Sequence, residues 1–178
     1  MKKMLIAAVA FGAMGFVNSA SATVASNVFQ WAGTVPASAT QNGFIIKSPT
    51  ASDIGAGQMT FTADTAGKGV LSGSSTIEFN VFEYSANTVG AAATDFTYQL
   101  SSLKAGVSGL AQEQSATGYF QIEADAVPLV KGTDVTKANG GVVSLSVAPT
   151  NVATPSNQPA AGDSVEVLAT ILVSNATI

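Results

Sequence analysis

Along most of the chain apolar and polar residues alternate on a period of two. In "STIEFNVFEY", Ile77, Phe79 and Val81 share one side while Glu78, Asn80 and Phe82 share the other, the spacing of a β-strand. Phe120, Ile122 and Ala124 oppose Tyr119, Gln121 and Glu123 in the same way. The pattern predicts strands in "NVFQWAGTV", "GFIIK", "GQMTFTAD", "GVLSGSSTIEFNVFEYS", "TDFTYQLSSL", "TGYFQIEADAV", "GGVVSLSVAP" and "SVEVLATILVS". Between them, "DTAGKG", "VKGTDVTKANGG" and "PTNVATPSNQPAAGD" are turns and loops, where Gly supplies positive φ and Pro cannot pair in a ladder. Ala and Gln in "GVSGLAQEQSATG" allow one helical turn near Leu110 to Gln114, but glycines flank it and no apolar stripe exceeds two turns. Short strands at this spacing predict an all-β antiparallel sandwich.

The first 22 residues break the pattern. Lys2 and Lys3 precede an apolar run from Met4 to Val17, and Ala20, Ser21 and Ala22 follow. That order describes a secretory signal peptide over 1–22, cut after Ala22. The run is shorter than the roughly 18 residues a membrane span requires. A chain starting at Thr23 has 156 residues, the length of one domain. It keeps five lysines and no arginine against eleven carboxylates, a net charge of −6. Without an arginine fork or a basic patch, nucleic-acid binding is not expected. Cysteine is absent although export permits disulfides, so stability rests on burial and hydrogen bonding.

The side chains of common enzyme chemistry are sparse. There is no histidine, which removes Ser-His-Asp triads, imidazole acid–base catalysis and imidazole metal ligands. Glu123 and Asp125 share a strand face, where a solvated sheet surface explains them better than a catalytic pair. Glu78 and Glu83 have opposite strand parity and do not converge without a bulge. "KGTDVTKANGG" offers one aspartate and one asparagine, too few oxygens for calcium. "GAGQMT" lacks the lysine of a phosphate loop and no helix follows it. "NAT" at Asn175 is a glycosylation triplet, weak by itself. The expectation is a protein that is not an enzyme and uses no cofactor or metal.

Two segments remain. In "TVASNVFQWAG", Ala25, Phe29 and Trp31 begin an apolar row that extends to Val35 and is broken by Asn27 and Gly33; Val24, Ser26, Val28, Gln30 and Ala32 fall on the other side. In "GDSVEVLATILVSNATI", strand-forming residues fill Val165 to Val173. The first segment has two readings: strand one of a complete sandwich, or a strand that leaves its own domain to complete a neighbour. In the second case a lone chain exposes a groove and an unpaired edge that must be filled.

In "NVFQWAGTVPAS" and "AGDSVEVLATILVSNATI" the chain resembles the major pilin subunits of chaperone–usher fimbriae, closest to the cysteine-free pilins of enterobacterial colonisation-factor fimbriae. The likeness spans the mature chain in layout and is concentrated at its two ends in residue detail. It implies an N-terminal donor strand over 23–35 and an immunoglobulin-like β-sandwich over 36–178, incomplete until a neighbouring subunit's donor strand completes it. Carried over by position, Val24, Val28, Phe29, Trp31 and Val35 belong to the donor strand. Val165, Val167, Leu168, Ile171 and Val173 border the acceptor groove, where a chaperone adds its strand. The implied partners are further copies of the chain, a periplasmic chaperone, an outer-membrane usher and a tip adhesin. The implied location is a cell-surface fimbria reached through the periplasm. The chain departs from many pilins in having no disulfide, and in ending on "SNATI" where an aromatic is common. The competing function is a secreted monomeric β-sandwich binding module with a ligand site in its loops.

Overall fold

The computed structural model describes residues 28–31, as a strand, and residues 43–178. These form thirteen strands and no helix: β1 Val28–Trp31, β2 Phe44–Lys47, β3 Gly57–Ala63, β4 Gly69–Ser74, β5 Ile77–Ser85, β6 Thr88–Ala92, β7 Asp95–Val107, β8 Gln112–Glu113, β9 Phe120–Ala124, β10 Val127–Pro128, β11 Val135–Lys137, β12 Val143–Pro149 and β13 Val165–Thr177. Every strand pair is antiparallel. The hydrogen-bonded orders are β1-β3-β4; β10-β9-β12-β5-β2 with β6 on β5; and β11-β7-β13 with β8 on β7. None closes into a barrel.

The first two of these sets run together. Only Ser75 and Thr76 separate β4 from β5, and Val147 N on β12 donates to Ser74 Oγ at the end of β4 (3.1 Å). The run read from sequence as one strand, Gly69 to Ser85, therefore divides: its first half pairs with β3 and its second with β2, β6 and β12. The β7–β13 sheet supplies the other side of the core. Phe79 of β5 meets Phe96 and Tyr98 of β7, ring centroids 6.1 and 5.9 Å apart. Phe61 of β3 meets Phe120 of β9 nearly edge-on at 6.3 Å. Tyr119 is buried too, and its hydroxyl accepts a hydrogen bond from Leu71 N (2.8 Å).

Turn chemistry fixes the register. Ala86 and Asn87 both have positive φ, as do Asp125 and Ala126, so β5–β6 and β9–β10 are joined through two-residue turns of the kind whose twist matches the flanking strands. Between β11 and β12, Asn139 and Gly140 repeat the pattern, and Gly140 N donates to Thr94 O (2.5 Å).

Two local expectations change. Leu110 to Gln114 is not a helical turn: Gln112 and Glu113 pair with Ala105 and Lys104 as β8. The Gln114 side chain instead makes a two-way bridge to the Phe120 backbone, its Oε1 accepting from Phe120 N (3.1 Å) and its Nε2 donating to Phe120 O. A side chain spent on a neighbouring strand outweighs the weak helical propensity of this stretch. On β5, the side opposite Phe79 and Val81 is also covered, because Asn80 and Phe82 are buried.

Candidate functional site

Strand β13 decides what the molecule's open side offers. It pairs with β7 at eleven positions, from Val165↔Val107 to Thr177↔Asp95, with irregularities between Thr170 and Ile171 and between Ser174 and Thr177. Both ends are tied. At the start, Ser108 N donates to Ser164 O (2.7 Å), and the Asp163 carboxylate accepts from Ala160 N (2.6 Å) and Ser108 Oγ (2.7 Å). Those two bonds hold the Asp163 carboxyl below its ordinary value. At the finish, Thr94 gives both its N–H (2.7 Å) and its Oγ1 (3.1 Å) to Thr177 O.

Period-two alternation divides the expected groove residues. Val165, Val167 and Ile171 are buried in the core, and Val173 packs against it half-buried. Leu168 has the other parity and lies on the face of Glu166, Thr170 and Leu172. Buried Ala169 completes the inward row. Parity alone would have found it; its small side chain hid it from a search for large apolar residues.

On the side of β13 away from β7, no hydrogen-bonded strand is present among the described residues. Strand β1 comes within 8 Å of β13, Cα to Cα, with no ladder between them. Its hydrogen bonds go to β3, in the register Val28↔Thr60, Phe29↔Met59, Gln30↔Gln58 and Trp31↔Gly57. Met59 and Gly57 are buried, whereas Thr60 and Gln58 are exposed. The positions of Phe29 and Trp31 thus oppose the buried ones of β3, and those of Val28 and Gln30 the exposed ones. Val24 and Val35 lie outside the described residues.

The carboxylates serve the scaffold. Asp125 sits in the β9–β10 turn and accepts from Lys137 Nζ (2.7 Å) and Ser144 N (3.1 Å). Burial pushes its carboxyl up, but these hydrogen bonds outweigh burial and leave it below its usual value. Glu123 accepts from Gln121 Nε2 (3.1 Å), and Glu78 from Ser144 Oγ (3.4 Å). Glu113 accepts from Lys131 and Ser102, which together hold it low. Among the described residues no three His, Cys, Asp or Glu side chains are grouped to hold a metal.

One cleft, about 520 Å³, opens beside the end of β7 between Gly106, Leu110, Gln112, Asn157 and Gln158. Leu110 stands 91% exposed at its rim. Its amides are largely committed: Asn157 Oδ1 accepts from Tyr119 N (2.6 Å) and Gln158 Nε2 donates to Gly69 O (3.2 Å).

No family model, curated protein or solved structure matches the chain.

Proposed function

We propose that the protein is a structural subunit of a bacterial surface fimbria that polymerises by donor-strand exchange, 23–35 being the exchanged segment and an immunoglobulin-like sandwich its acceptor. The supporting observation is the placement of β1. It is a four-residue strand held by β3 and lying within 8 Å of β13, Cα to Cα, and eleven residues separate it from Gly43. A strand inserted at such a seam contributes backbone hydrogen bonds and side chains that close an apolar groove. The same seam in a second copy is the acceptor, bordered by Val165, Val167, Ala169, Ile171 and Val173. Before assembly a periplasmic chaperone lends a strand to that edge, an outer-membrane usher directs the exchange, and a tip adhesin caps the polymer. Residues 1–22 carry the chain into that route and are removed. The subunit has no catalytic role.

The test is a gel. Mature protein kept unboiled in detergent runs as a ladder of multimers that collapses to one band on boiling. Deleting Thr23 to Val35 abolishes the ladder, while the body retains its sheet signature in circular dichroism when a chaperone is co-expressed. A ladder that survives the deletion overturns strand exchange.

A second reading rests on its own observation. Because β1 pairs within its own chain, it also fits strand one of a self-contained sandwich, a secreted binding module whose ligand site is the cleft at Leu110. That protein runs as a monomer with or without boiling.

A further inference from the structure

The strand that would join subunits is docked on its own β3 and lies beside its own β13. From this we infer that each unassembled subunit caps its own groove with β1, so that the joining element also holds the free subunit out of assembly. The inference rests on the strand-exchange reading and adds a regulated state to it.

The physical reason is competition for one groove. A groove that accepts this strand from a neighbour also accepts it from its own chain whenever the connection reaches, and here it reaches. A short tether presents the strand at an effective concentration on the order of millimolar. At micromolar subunit concentration, and for equal contacts, capping in cis is then favoured over exchange in trans by roughly a hundredfold to a thousandfold. The ladder lengths show which strand can be given up. β1 is held at four positions on one side, whereas β13 is held to β7 at eleven. Release of β1 therefore exposes the seam without dismantling the β7–β13 sheet. An assembly factor that draws β1 out, or covers the seam in its place, controls when joining begins.

The register supplies the probe. Gln30 and Gln58 are directly opposed, on the exposed parity of β3. Opposed residues of an antiparallel pair lie about 4.5–5.5 Å apart at Cα, within the span of a disulfide. The chain has no cysteine, so a Gln30→Cys, Gln58→Cys pair reports alone. Oxidised glutathione converts the two thiols to one disulfide and leaves as two molecules of reduced glutathione. The full mature double variant is expected to form this bond within one chain, seen as a monomer of altered mobility on a non-reducing gel. The oxidised monomer should form multimers at least roughly tenfold more slowly than the reduced one, with full recovery on adding reductant.

Disulfides formed only between chains, with the monomer left reduced, overturn self-capping and leave strand exchange standing. An intrachain disulfide in a protein that makes no multimers in reduced or wild-type form defeats strand exchange itself, and the inference falls with it. Should the double variant fail to fold, hydrogen exchange on the wild-type monomer decides. Protection of the 28–31 amides that does not change with protein concentration supports capping in cis, and free exchange at those amides overturns it.

Discussion

At the scale of single residues, the interior is held by a few groups with two duties each. Tyr119 fills core space and satisfies the buried Leu71 N–H. Tyr119→Phe keeps the ring and orphans that donor, so it should cost about 1–3 kcal/mol, read as a lower urea midpoint at unchanged slope. Together with Glu113 and Asp163, Asp125 contributes to the acid limb. Its carboxyl is held below its ordinary value in the fold and relaxes to about 3.9 in the unfolded chain. The folded state therefore favours the ionised form; the stabilisation is complete above about pH 4 and is lost as pH falls through the lower folded value. Urea midpoints should drop on acidification below about pH 4, and Asp125→Asn should flatten that part of the drop. The sequence showed Asp125 only as a neighbour of Glu123 on one face. The turn that removes it from that face depends on positive φ at Asp125 and Ala126, and an alanine does not advertise positive φ.

At the scale of elements, the alternating pattern predicted the longer strands and missed β6, β8 and β11, the last inside a stretch read as loop. Gly69 to Ser85 carries no turn residue strong enough to end a strand, because its division at Ser75 and Thr76 comes from a change of partners and not from local chemistry. In β13 the reverse holds, since parity in the sequence already separated Leu168 from Val165, Val167 and Ile171. For β1 the sequence left both rows open. The register sets Phe29 and Trp31 across from buried Met59 and Gly57, and opposed residues share a face. If β1 joins subunits as proposed, Phe29→Ser and Trp31→Ser should each weaken that junction by about 2–4 kcal/mol, and Val28→Ser by clearly less. Melting of multimers in detergent, scored by the temperature at which the ladder collapses, measures this. Equal losses for Val28 would mean a junction shifted by one residue.

At the scale of the whole molecule, all described strand pairs are antiparallel, and β1 and β13 approach each other with no ladder between them. Moving 23–35 from the front of the chain to a position after Ile178, through a flexible linker, supplies that seam from the other end. The product should stay monomeric on unboiled gels and melt no lower than the wild-type monomer, because an intramolecular strand leaves no groove open. A ladder from this variant would show that multimers form by another surface. The sheet arrangement was legible as a class from spacing and turns. The seam was not, because it is made by residues far apart in the chain, and nothing local in "TVASNVFQWAG" says which β-strand it meets.

The double hydrogen bond from Thr94 to Thr177 O has a practical side. It fastens the chain at Thr177, while the adjoining Ile178 is half exposed. A fluorophore attached there through a short bond path leaves from an anchored point, so its rotation follows the tumbling of the whole body. Its emission anisotropy then becomes a gauge of particle size, rising when the body joins something larger and falling when it is set free.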